Sequence, residues 1–186
     1  MVTKNDSIIK MKSSEMLYNF LEKTNLHKKD FAQMIGVTLS YVYNLIDETI
    51  PFSTRSTTLE RIATVMDISP EDFVEYKIPQ DPILIDEATN FIKTRQKEKN
   101  LSTVQFLKSF PRKQRIEIVD ILRGARPIPL DWEEVSVIAQ ILDINKKEMY
   151  VFWEARLRQL LQNSGFNPEG NKELLDSMLE CSRNYI

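Results

Sequence analysis

The sequence predicts an all-α protein: two tandem five-helix units followed by a short C-terminal helix. Three observations predict it. Glycine is scarce, four residues in 186 or about 2%, against the usual ~7%. That leaves little material for turn-rich β folds or for Gly-rich phosphate loops. Apolar residues recur at helical spacing, with Ser, Thr or Asp ahead of several stretches as helix caps stand. The chain also repeats itself. Ile62-Ala63-Thr64-Val65-Met66-Asp67-Ile68 resembles Ile138-Ala139-Gln140-Ile141-Leu142-Asp143-Ile144 at an offset of 76, and Leu26 with Phe31 matches Leu101 with Phe106 at an offset of 75.

The elements follow in order. Met16, Leu17, Phe20 and Leu21 make one face of a first helix. Phe31, Ala32 and Ile35 mark a second, and Val42, Leu45 and Ile46 a third. Thr57-x-x-Glu60 has the form of a capping box, with Leu59, Ile62, Ala63 and Met66 behind it. Ser69-Pro70-x-Asp72 opens a fifth helix carrying Phe73. The second copy gives parallel signals. Ser102-x-x-Gln105 and Asp131-x-x-Glu134 are spaced as caps, and Trp132, Val135, Ile138, Ala139 and Leu142 line one helix face. The last helix of this copy, with Met149, Phe152, Trp153, Leu157, Leu160 and Leu161, runs farther than its counterpart and stops near Gly165. Leu174, Leu175, Met178 and Leu179 make residues 171–182 a short amphipathic helix.

Ile78-Pro79-Gln80-Asp81-Pro82 separates the copies, because each proline biases its predecessor away from helix. Asp81-Pro82 reads as a cap followed by a proline in the first helical position. The expected organisation is an N-terminal arm at 1–13, a first unit at 14–77, a second at 81–163 and a tail at 167–186.

Composition narrows the function. No apolar run reaches the ~18 residues of a membrane span, and Met1–Glu15 lacks the apolar stretch of a secretory signal. A single cysteine, Cys181, builds no internal disulfide and fits a cytoplasmic protein. With one histidine, His27, no metal site or cofactor is expected. His27 falls at a helix cap rather than beside a nucleophile, so no enzyme is expected either.

Residues 26–46 read LHKKDFAQMIGVTLSYVYNLI. This stretch resembles the helix-turn-helix of the Cro/C1-type repressor family, the lambda-repressor-like domains. The family pattern has a Leu before its first helix, an Ala inside it, a Gly at the turn, an apolar residue next, and two apolar anchors in the recognition helix. Leu26, Ala32, Gly36, Val37, Val42 and Leu45 fill those places. Pro51 and the phrase Ile62–Ile68 fit the family's continuation. Ile46-Asp47-Glu48 departs from the usual Glu-x-Gly, and the loop Phe52–Thr57 is longer than usual. In the second copy Leu101, Phe106, Ile118, Ile121, Arg123-Gly124, Pro127 or Pro129, and Ile138-Ala139 fit the same frame. There Ser109-Phe110-Pro111 replaces the turn glycine and its neighbour, one extra residue lies between the helices, and Leu107 takes the place of the small alanine.

The resemblance implies sequence-specific binding of double-stranded DNA by a bacterial or phage transcriptional regulator. The net charge of −2 hides an asymmetry: +2 over residues 1–13, −4 over 14–80, +2 over 81–160 and −2 over 161–186. In the second copy Arg112, Lys113 and Arg115 gather at the start of the expected recognition helix, with Arg123 and Arg126 after it, and are candidates for phosphates. In the first copy the family directs the end bearing Lys28 and Lys29 at a phosphate. Thr38, Ser40, Tyr41, Tyr43 and Asn44 face outward, Asn44 can pair bidentately with adenine, and Arg55 can reach the backbone from its loop. Lys4, Lys10 and Lys12 are either an arm over DNA or a disordered terminus. Against this, residues 38–45 hold no Lys or Arg, and Asp47 and Glu48 oppose phosphates. A protein-interaction module on the same scaffold, with at most one copy on DNA and a protein partner at the first unit, stays open. The family's two-fold dimers and the apolar stripes at 153–161 and 174–179 imply a homodimer, unless the tail folds back over that extension.

Overall fold

The computed structural model of the chain describes residues 11–77, 86–128, 132–167 and 170–183. Among them are ten α-helices, one 3-10 turn and no strand. The expectation of an all-helical chain therefore holds for the described residues. The chain divides into two units, residues 1–80 and 81–186.

In the first unit, α1 (Ser13–Lys23), α2 (Lys28–Ile35), α3 (Leu39–Ile46) and α4 (Ser56–Met66) enclose one core. Leu17, Phe31, Met34, Ile35, Val42, Leu59 and Ile62 are fully buried in it, each worth about 1.5–3 kcal/mol of burial. Ala32, small and buried, lies on α2, which packs on both α3 and α4. The helix ends are closed by the backbone. Asn25 takes a left-handed conformation (φ 48°), and the Leu26 amide reaches back to the Leu21 carbonyl at 3.1 Å. Asp67 (φ 56°) does the same after α4, with the Ile68 amide on the Ala63 carbonyl at 3.1 Å.

Two expectations for this unit need correction. Thr57 and Glu60 form no capping box: α4 begins at Ser56 after Arg55, without a side-chain cap. Glu60 turns inward instead, is buried, and accepts a hydrogen bond from the Tyr76 hydroxyl at 3.2 Å. The fifth helix is a single 3-10 turn, Pro70–Asp72. It opens at Ser69-Pro70 as expected, with a capping box that puts the Ser69 amide on Asp72 Oδ2 at 3.0 Å, but the chain turns extended at Phe73, whose ring is buried and stacks on Phe52.

The second unit holds α5 (Glu87–Glu98), α6 (Thr103–Lys108), α7 (Arg115–Leu122), α8 (Trp132–Leu142), α9 (Tyr150–Asn163) and α10 (Lys172–Arg183). Asp86 caps α5 through the Thr89 amide at 2.7 Å. The start expected at Asp81-Pro82, and the Asp131 cap, lie outside the described residues. The Ser102–Gln105 capping box is present, its two arms at 3.0 and 3.3 Å. Asn100 (φ 51°) and Asp143 (φ 55°) close α5 and α8 in left-handed conformation. The Leu101 amide reaches the Gln96 carbonyl and the Ile144 amide the Ala139 carbonyl, both at 2.9 Å. Asn145 then caps with its side chain, and Glu148 ties that turn to Arg95 on α5. The tail is part of this unit: α10 packs on α9 and buries Leu175 and Leu179. Within the chain the tail folds back on α9, as one of the two expected arrangements has it. Leu160, Leu174 and Met178 remain exposed.

Candidate nucleic-acid interface

The α2–α3 corner is built by three residues. Gly36 ends α2 at φ 73° and ψ 38°, a conformation that costs an L side chain about 1–2 kcal/mol and glycine little. The Val37 amide bonds the Ala32 carbonyl at 2.9 Å. Thr38 caps α3, its hydroxyl accepting from the Tyr41 amide at 3.2 Å. Val42 and Leu45 anchor α3 in the core, so Ser40, Tyr43 and Asn44 are presented to solvent with Leu39. Tyr41 is half-buried, and its hydroxyl donates to the Ser53 carbonyl at 3.3 Å, which holds the long loop against α3. Leu39 is the exposed residue that sequence reasoning missed. Its signal was its place directly behind the Thr38 cap, in the first turn of a helix whose apolar anchors come three and six residues later.

The cations of this unit flank α3. Lys28 is partly covered and stands 4.0 Å from Glu22; Lys29 is exposed on the first turn of α2. Arg55 is exposed at the start of α4. His27 occupies the cap position of α2, exposed and without a side-chain cap bond. Asp47 closes α3. The Thr49 hydroxyl and amide donate to its Oδ1 at 2.6 and 2.9 Å, and these bonds hold its carboxyl below the usual carboxylate range. Lys12 is exposed just ahead of α1; Lys4 and Lys10 lie outside the described residues.

The second unit departs from the arrangement expected of it. Six residues, 109–114, separate α6 from α7, where one residue more than in the first unit was expected. The reason is local. Ser109 ends α6 in right-handed conformation, so the chain does not reverse as it does at Gly36. Phe110 is then buried edge-on against Phe106 at 5.0 Å, and Pro111 begins a turn closed by the Gln114 amide at 2.9 Å. Arg112 and Lys113 consequently sit in that turn and not at a helix start; both are exposed. Arg115 opens α7, half-buried, with its Nε on the Phe110 carbonyl at 3.2 Å. Arg123 is drawn inward to Asp120 at 2.8 Å, its side chain only 10% exposed. Arg126 pairs with Glu117 at 3.0 Å. It borders a cavity of about 320 Å³ whose rim also carries Glu133 and Glu134. Of the five basic residues expected to meet phosphate here, Arg112, Lys113 and Arg126 are exposed, Arg126 while paired with Glu117.

Among the described residues no group of three or more His, Cys, Asp or Glu is placed to hold a metal, and Cys181 is exposed. Among them, too, no helix is long and apolar enough to cross a membrane.

The Gly36 corner, the capped and core-anchored α3 and its exposed polar face define a helix-turn-helix. Residues 16–79, which hold nearly all of the described first unit, match the family model of the Cro/C1-type HTH DNA-binding domain. The chain thus carries one Cro/C1-type HTH domain. No curated protein and no solved structure matches the chain.

Proposed function

We propose that the chain is a sequence-specific double-stranded DNA-binding protein, a cytoplasmic transcriptional regulator of bacterial or phage type that performs no catalysis, and that the first unit reads the duplex. The observation that carries this reading is the exposed face of α3, held at the Gly36 corner inside a segment that matches a DNA-binding family. In that reading α3 enters the major groove, with Ser40 and Asn44 at base edges and Thr38 and Tyr41 near the backbone. Lys28, Lys29 and Arg55 serve phosphates on either side.

The second unit we read as a divergent copy of the same scaffold. Left-handed Asn100 and Asp143 recur 75 and 76 positions after Asn25 and Asp67, each followed by the same backward hydrogen bond. Its role on DNA is secondary. Arg123 and Arg126 are held by carboxylates and the turn ahead of α7 is remodelled. This favours the arrangement in which one unit reads sequence while the other lends Arg112 and Lys113 to the backbone or meets a protein. A homodimer remains part of the proposal, joined through Leu160, Leu174 and Met178, which the folded-back tail leaves exposed.

Retention of the full chain on duplex DNA across a salt series tests the reading. Binding that weakens linearly in log–log form, and a preferred sequence recovered from a random pool, are expected. Failure to prefer any duplex sequence at low salt would remove it. Sedimentation of the free chain at tens of micromolar decides the dimer separately.

A further inference from the structure

The exposed face of α3 consists of two adjoining stripes. Leu39 and Tyr43 stand one turn apart, 39% and 53% exposed. Ser40 and Asn44 stand one turn apart beside them, both exposed. The rest of the helix is accounted for by packing: Val42 and Leu45 are buried, and Tyr41 and Ile46 half-buried. Residues 38–46 contain no Lys, Arg, Asp or Glu. A duplex meeting this face therefore meets one apolar stripe, one hydrogen-bonding stripe and no charge.

The base edges of the major groove differ in what they ask for. Guanine presents two acceptors, met best by Arg or Lys. Cytosine presents a donor, met by Asp or Glu. Adenine presents an acceptor and a donor, met by Asn or Gln. Thymine alone presents a methyl group, met by apolar side chains. The α3 face lacks the charged partners that suit guanine and cytosine best, carries Ser40, which suits any pair, and holds the side chains that suit adenine and thymine. Asp47, the next carboxylate along the chain, lies one residue beyond the helix and has Oδ1 engaged by the Thr49 amide and hydroxyl.

Resting on the DNA reading above, we propose that α3 recognises A·T pairs: Leu39 and Tyr43 pack on thymine 5-methyl groups while Asn44 takes an adjoining adenine edge. Leu39 and Tyr43 are then determinants of specificity rather than leftover surface. They explain how a recognition helix without a cation discriminates between sequences: it reads methyl groups and leaves attraction to Lys28, Lys29 and Arg55 at its flanks.

The test separates the methyl group from everything else about the site. The full chain is used to select a preferred duplex from a random pool. Thymines in that site are then replaced singly by uracil, which keeps pairing and hydrogen bonding but lacks the methyl. At one or more positions the wild-type chain should bind the uracil duplex about three- to tenfold more weakly, as expected for one lost apolar contact. Leu39→Ala or Tyr43→Ala should lose a similar factor on the thymine duplex and become indifferent to uracil at the matching position. The wild-type comparison needs no variant, so misfolding cannot imitate the result. Sequence-specific binding with equal affinity for thymine and uracil at every position overturns the base assignment and leaves the DNA reading intact. Undiminished sensitivity to uracil in both variants also overturns it. Failure to bind any duplex with preference overturns both.

Discussion

Asn25 and Asn100 stand 75 positions apart and hold the same backbone conformation, φ 48° and 51°, each closing the first described helix of its unit. Asn tolerates this conformation better than other side chains, and glycine better still. Asn25→Gly and Asn100→Gly should each stabilise the parent unit by about 0.5–1 kcal/mol. Substitution to Val should cost about 1–2 kcal/mol at either place. Urea denaturation midpoints at unchanged slope are the measurement. Opposite signs at the two positions would show that the two helix ends are not equivalent.

Arg123 and Lys113 should behave oppositely although both belong to the same basic segment. Removing Arg123 leaves Asp120, itself only 19% exposed, without its 2.8 Å partner. Arg123→Ala should lower stability by about 1–3 kcal/mol. Lys113→Ala should leave the melting temperature in place, and if Lys113 meets a phosphate it should lower the salt slope of DNA binding by about one unit. Calorimetry and a salt titration on the same two variants check this.

Asn44 is exposed on α3, so its replacement should not affect folding. If it reads a base, Asn44→Ala should cost about 1–3 kcal/mol on the preferred duplex and little on random DNA. Equal losses on both would assign it to the backbone instead.

The tail is structural before it is anything else. Leu175 and Leu179 are 1% and 2% exposed where α10 packs on α9. Leu175→Ala or Leu179→Ala should destabilise the second unit by about 2–4 kcal/mol. Leu174→Ala and Met178→Ala, at exposed positions, should stay within about 0.5 kcal/mol and affect only sedimentation, if a second chain sits there. Denaturant unfolding alongside sedimentation separates the two pairs.

Lys93 is partly buried on α5, and burial, helped by Lys97, lowers its ammonium below the usual lysine range. The folded state therefore binds this proton more weakly than the unfolded chain does. The resulting penalty is present below the folded-state value and fades as pH rises towards the ordinary lysine range. Lys93→Met should stabilise the second unit at pH 7, and the gain should shrink as the pH approaches the ordinary lysine range. Melting curves over that span of pH suffice.

The first unit was legible because its signals are short-range and sterically exclusive. Gly36 is the residue a left-handed turn admits most cheaply, Ala32 is small where helices cross, and Val42 with Leu45 share one helix face. The second unit's charges were not legible in the same way. The i, i+3 spacing of Asp120 and Arg123 was available as a warning, whereas the Glu117–Arg126 pair spans a helix end and a turn. Thr57-x-x-Glu60 misled for a related reason. A capping pattern says nothing about which way a glutamate turns when Tyr76 offers a hydroxyl on the inner side. The connection before α7 was misjudged because Phe110 reads as one more loop residue until its ring is seen against Phe106.

That buried ring also makes the connection at 109–114 unlike the corner at 36–38 in what closes it. Turning the connection at 109–114 into a three-residue corner like 36–38 requires shortening the chain, supplying a left-handed residue and emptying the space Phe110 fills. Shortening alone drags the ring out of its socket, and replacing the ring alone leaves a hole beside Phe106. Neither change alone leaves the second unit as well packed, so this connection is held by an aromatic plug where the first unit relies on a left-handed glycine.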